Sequence, residues 1–160
     1  MNLYPRVVFV RVLTVYGADD LLMSAKVERS VLLELPTPLA PLNAKQREDS
    51  LQMALAAAAT AAENKGQDIT ILDMTGQTSI FDFFVIITGT SRRQLHAIAD
   101  DIARSLRERQ QERLSRTGYE ESQWIVLDYG GIIIHLFDEE TRQYYDLESL
   151  WADCPRVPIQ

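Results

Sequence analysis

The sequence predicts an α/β (α+β) domain, a mixed sheet of four to five strands with helices packed on it. Three observations lead there. Residues 83–87 (FFVII) are a short run of aromatic and β-branched side chains, as in a strand buried on both faces. After Gly89-Thr90, Ser91 and Gln94 form a capping-box pattern, and Leu95, Ile98, Ala99, Ile102 and Leu106 recur at intervals of three and four. That spacing draws one stripe on a helix. Residues 124–129 and 132–137 then flank Gly130-Gly131, a two-residue hairpin signal, because a type I′ turn needs positive φ at both positions. A strand–helix–strand passage implies a parallel crossover and the hairpin implies antiparallel pairing, so the sheet is mixed.

The elements follow in order. Residues 1–46 are an N-terminal extension in which 7–16 (VVFVRVLTVY) has strand composition and 31–35 offers a second strand. Pro36, Pro38 and Pro41 mark a linker, and Met23 and Met53 are alternative starts. The domain proper spans 47–157, with 158–160 as a tail. A helix over 49–65, capped by Asp49 or Ser50, is Ala-rich and stops at Gly66. Leu51, Leu55, Ala58 and Ala62 give it a stripe of mostly small side chains, suited to close approach to a sheet. Residues 69–74 read as a strand and 76–79 as a turn. The central helix runs to about 109–114, where Arg107, Arg109 and Arg113 favour its negative end, and Thr117-Gly118 ends it. Asp138 caps a short helix over 139–145 and Asp146 another over 147–151.

The size permits burial of roughly 70% of the unfolded surface. A single Cys154 excludes a disulfide framework or a thiolate cluster and fits a reducing, cytoplasmic compartment. No apolar run reaches the roughly 20 residues of a membrane span, and no signal-peptide pattern is present. Charge is segregated. Residues 1–46 are net +1, residues 92–116 net +3 with seven arginines, and residues 117–160 net −7. A nucleic-acid binder needs a basic face, so the acidic final third argues against sequence-specific nucleic-acid binding as the main work. That third suits a basic protein surface, or serves solubility alone.

Dedicated chemistry finds little support. Gly89-Thr90-Ser91 resembles the turn that opens nucleotidyltransferase sites, but those need two metal-binding carboxylates spaced one apart on a neighbouring strand. The matching strand offers Asp128 followed by glycines, and Asp100-Asp101 point to different sides of a helix. His96, His135 and Cys154 lack any metal or nucleophile spacing. No catalytic residue, metal or cofactor is expected. Trp124, Tyr129, Phe137, Tyr144, Tyr145 and Trp151 cluster in the acidic third, where aromatics serve a core or an interface equally. By alternation Trp124, Val126 and Asp128 share one face of their strand, and Ile125, Leu127 and Tyr129 the other.

Three ordered blocks, ILDMTGQTSIFDFFVIITGTSRRQLHAIADDI, WIVLDYGGIIIHLF and TRQYYDLESLW, resemble the ribosomal silencing factor family, also called Iojap-related proteins. The resemblance covers about residues 51–157. It implies a nucleotidyltransferase-like fold without the catalytic carboxylates, and no enzymatic activity. It also implies binding to the large ribosomal subunit at a basic protein, the fourteenth of that subunit. There the factor sterically blocks the small subunit and represses translation when nutrients are short. Organellar relatives point to large-subunit assembly as an alternative; a degenerate nucleotide binder is another. Family members often form homodimers. Phe81 replaces the usual Thr before Asp82, and Gly131 replaces the usual Asp after the hairpin Gly. Carried over, the expected contact residues are Trp124, Asp128 and Tyr129, with His135, Tyr144 and Tyr145 nearby and Asp82 secondary.

Overall fold

The computed structural model describes residues 44–159. The candidate strands at 7–16 and 31–35 and the proline linker lie outside them. The order is α1 (Ala44–Glu63), β1 (Gln67–Asp73), β2 (Phe83–Thr88), α2 (Arg92–Glu108), β3 (Ser115–Thr117), β4 (Trp124–Asp128), β5 (Ile132–Phe137), α3 (Glu139–Tyr145), α4 (Leu147–Leu150) and β6 (Arg156–Val157). One mixed sheet runs β3-β4-β5-β2-β1-β6. The pair β2–β5 is parallel, with Phe83 opposite Ile132 and Thr88 opposite Phe137; the other neighbours are antiparallel. Among the described residues the sheet therefore has six strands, not four to five. β3 and β6, of three and two residues, are too short to carry a period that a sequence can show.

β2 and β5 are buried along their whole length, as strands covered on both faces must be. On one face, α1 and α2 pack Ala54, Ala57, Ala58, Ala61, Leu95, Ile98 and Ile102 against Phe83, Val85, Ile87, Ile125, Leu127 and Ile134. On the other, Leu72, Phe84, Ile86, Trp124, Val126 and Phe137 meet Met74, Phe81, Leu147 and Trp151. The buried stripe of α1 is thus the alanine ridge; Leu51 and Leu55 flank it half-buried, and Ala62 is exposed.

Local chemistry explains the helix ends. Ser91 caps α2 by accepting from the Gln94 N–H at 3.2 Å, while Gln94 reaches back to the N–H and hydroxyl of Thr90, one residue before the cap. Both α1 and α2 close with the same paired bonds. Gly66 N–H donates to the Ala61 carbonyl and Lys65 N–H to Ala62; Gln111 N–H donates to Leu106 and Gln110 N–H to Arg107. Lys65 and Gln110, not glycines, take the left-handed position. Gly66 follows instead because a Cβ there would crowd the Ala61 carbonyl at 2.9 Å. α2 ends at Glu108, and Gly118 belongs to the β3–β4 loop rather than to a helix stop.

The hairpin is present but its turn is not type I′. Gly130 has φ +79 whereas Gly131 does not enter the left-handed region. Gly131 N–H donates to the Tyr129 carbonyl at 3.0 Å, a three-residue γ-turn centred on Gly130. Gly131 is required for space: a Cβ there would land on the Ser50 hydroxyl of α1.

Candidate partner-binding site

The expected contact residues fall at two ends of the β4–β5 ladder. At one end Trp124 pairs with Phe137, their rings 4.7 Å apart, and meets Tyr145 at 4.6 Å. Tyr145 in turn meets Tyr144 edge-on at 5.0 Å. An aromatic file thus runs from the core to the surface. Trp124 is only 5% exposed, while Tyr144 is 72% exposed and Tyr145 half-buried. Trp124 shapes the surface from beneath; Tyr144 is the ring a partner can reach.

His135 lies behind Trp124, buried, and accepts the indole N–H at Nδ1 over 3.2 Å. An indole nitrogen only donates, so the neutral imidazole carries its proton on Nε2. Nε2 is buried without a partner, and Phe84 packs edge-on to the ring at 4.8 Å. Burial pulls the His135 pKa down to about 3. The sign of the linkage follows. Below an unfolded pKa of about 6.5 the unfolded chain takes up a proton that the folded chain refuses until about pH 3. Stability from this group is complete above about pH 6.5 and falls as pH drops toward 3, by at most about 1.4 kcal/mol per pH unit. Urea midpoints between pH 7 and 4.5 should show a shallower fall for His135→Gln than for the parent; equal slopes would refute the assignment.

At the other end of β4, about 13 Å away at about 3.3 Å per residue, Asp128 is half-buried. Its Oδ1 accepts the Gly130 N–H at 2.7 Å, so the carboxylate first of all holds the turn. Tyr129 points to the opposite, helix-covered face and is buried, its hydroxyl without a partner. Burial pushes its phenol pKa up, against Arg113 and Arg107, which pull it down. Asp82 is also buried, with Oδ2 unpartnered, near the space that a Cβ of Gly131 would take. The structure brings Trp124, His135, Tyr144 and Tyr145 together; it does not bring Asp128, Tyr129 or Asp82 to them. Trp124 and Asp128 share a strand face, as alternation assigns, but Trp124 is buried and Asp128 half-buried at the other end of the strand. Alternation assigns the side of a strand, but both sides of this sheet are covered.

What presents Tyr144 is α3, a seven-residue helix with no buried residue, capped by Asp138 at its start and by left-handed Asp146 at its end. Glu139 and Glu140 stand in its first turn. Arg142 ties the helix down. Its guanidinium donates to the Thr88 hydroxyl at 2.7 Å and grips the Glu148 carboxylate through Nε at 3.0 Å and Nη2. No sequence signal marks this triad, since its members lie on β2, α3 and α4. The β3–β4 loop is anchored similarly. Tyr119 stacks on His96 at 4.0 Å and donates to Asp100, while His96 Nε2 meets the Tyr119 carbonyl at 2.7 Å.

The Gly89-Thr90-Ser91 turn spends its polar groups internally. Thr90 gives its N–H and hydroxyl to Gln94, whose amide donates to the carbonyls of Asn64 and Lys65. A Cβ at Gly89 would come within 2.6 Å of Leu95, so the glycine serves packing. Among the described residues no group of three or more His, Cys, Asp or Glu could hold a metal, and no helix is long and apolar enough to cross a membrane.

Comparison with known proteins gives a consistent set. The family described as "Ribosomal silencing factor during starvation" matches residues 47–160. A ribosomal silencing factor of Halalkalibacterium halodurans is 34% identical over 113 residues, 71% of this chain and 94% of that protein. The mouse "Mitochondrial assembly of ribosomal large subunit protein 1" is 32% identical over 93 residues, 56% of this chain and 41% of that one. A solved protein of Chromobacterium violaceum superposes with a TM-score of 0.62 at 31% identity, covering 64% of this chain and 85% of its own.

Proposed function

The chain belongs to the ribosomal silencing factor family, whose members are named as regulators of the ribosome rather than as enzymes, and from that membership we propose that it binds the large ribosomal subunit at its basic fourteenth protein and bars the small subunit. The action is steric and cytoplasmic, and nothing in it requires bond-making by the chain. One observation supports the face: α3 carries an exposed Tyr144 among the acids Glu139 and Glu140, on a helix that buries none of its own residues. An amphipathic ring rimmed by negative charge fits a basic protein surface, the ring supplying contact area and the acids speeding encounter. Trp124 and Tyr145 support Tyr144 from behind, and Asp128 stands apart as a second candidate contact.

Purified large subunits pelleted with the protein test this. The parent should co-sediment. Tyr144→Ala should lose roughly tenfold in affinity, since a central interface ring typically contributes about 1–2 kcal/mol or more, with an unchanged melting curve. A parent that stays at the top of the gradient would reject the partner, and unchanged affinity of the variant would reject the face.

A second reading is favoured by the mouse relative's name, which concerns assembly of the large subunit. We propose it as the alternative use of the same face. Particle profiles after depletion separate the two: missing large subunits with precursors indicate assembly, and normal subunits with excess joining indicate silencing.

A further inference from the structure

α2 turns a second chemistry outward. Opposite its core stripe, Arg93, Ala97, Asp100, Arg104 and Arg107 recur at intervals of three and four. Arg104 pairs with Asp101 at 2.9 Å and Arg116 with Asp100 at 3.5 Å, so these two carboxylates are taken. At the C-terminal end the situation differs. Arg107, Arg109 and Arg113 make no hydrogen bond through their side chains and no ion pair among the described residues, although Glu108 and Glu112 stand between them. The helix end does not need them either, because the carbonyls of Leu106 and Arg107 already accept the N–H groups of Gln111 and Gln110. Arg107 and Arg113 lie near Tyr129, on the side of the sheet away from the aromatic file.

This end of α2 is richer in arginine than the acidic final third. Residues 107–113 hold Arg107, Arg109 and Arg113 against Glu108 and Glu112, net +1, and residues 117–160 are net −7. A protein with one acidic and one arginine-bearing surface is matched by a partner that offers both a basic protein and a polyanion. Unengaged guanidinium forks suit phosphate oxygens, which they bind in pairs of parallel hydrogen bonds. The large exposed apolar side chain among them is Leu114, which has no ring for stacking bases. The contact is therefore with backbone, not with base edges. The geometry points to the arginine end of α2, Arg107, Arg109 and Arg113, as a surface that grips the phosphodiester backbone of ribosomal RNA without reading its sequence. This second contact presupposes the ribosome-binding reading above and adds an oppositely charged anchor to it.

The test compares the parent with a triple variant, Arg107→Gln, Arg109→Gln and Arg113→Gln, against two probes. These are isolated large subunits and the purified fourteenth protein of that subunit. On subunits the variant should bind at least tenfold more weakly near 0.1 M salt. Its plot of log affinity against log salt should flatten by about 2, given about 0.7–0.9 per lost phosphate contact. Toward the isolated protein, parent and variant should bind alike. Equal affinity and slope on subunits would overturn the RNA contact while leaving ribosome binding intact. Equal weakening toward the isolated protein would also overturn it, placing the arginines on protein. A parent that binds neither probe would remove both readings together.

Discussion

Trp124→Ala should cost the domain about 3–5 kcal/mol, the range for emptying a buried tryptophan site. The indole touches Phe137 and Tyr145 and is almost wholly covered. Its loss also leaves His135 Nδ1 without its donor, in a core where Nε2 already has no acceptor. A buried acceptor so stranded adds about 1–3 kcal/mol. Set against a typical stability of about 5–15 kcal/mol, that brings the variant near its folding midpoint. Trp124→Phe keeps one aromatic ring but loses the N–H and part of the indole's buried volume, so it should fall between the two. Urea unfolding of all three proteins measures this. A drop below about 1 kcal/mol for Trp124→Ala would mean that the side chain lies on the surface as a contact residue. For the same reason, lost ribosome binding by Trp124→Ala reports unfolding, and Tyr144→Ala is the variant that probes the face.

Arg142→Ala should loosen the face without collapsing the sheet. The guanidinium joins Thr88 on β2 to Glu148 on α4, with side-chain exposures of 13% for Arg142 and 17% for Glu148. Removing one member of a buried pair costs about 3–5 kcal/mol, and partial access of water here puts the loss at the lower end. The effect should be local. α3 has no buried residue of its own, so without Arg142 it is held, among the described residues, by Tyr145, by the neighbouring α4 and by the Asp138 N–H bond to the Gln123 carbonyl at its start. Hydrogen exchange should rise across 138–150 while β2 and β5 stay protected. Arg142→Lys should rescue little, because an ammonium cannot reach Thr88 and both sides of Glu148 as a fork does. Unchanged exchange over 138–150 in Arg142→Ala would refute the tether.

Much of this architecture could be read from the chain because local and global signals agree. α2 has a cap, a clean stripe and a polar back; β2 and β5 are unbroken apolar runs. α1 shows where the reading weakens. Alanines recur on several sides of it, so the sequence marks the helix but not which row of methyls faces the sheet. The place of the Gly130-Gly131 turn is legible in the sequence and its type is not, because its second glycine answers a steric demand from Ser50 rather than a dihedral one. At the site, composition identified the aromatic group but not the reach of each ring. Exposure of Tyr144 against burial of Trp124 depends on how Arg142 seats α3, and its bonds to Glu148 and to Thr88, 54 residues away in sequence, decide that.

The most direct measurement mixes large and small subunits under conditions where they associate, adds the protein in excess over large subunits, and resolves the products on a gradient. The steric account requires the joined particle to shrink, free small subunits to appear, and the protein to travel with the large subunit. Joined particles at undiminished level, with the protein left in the lightest fractions, would contradict it.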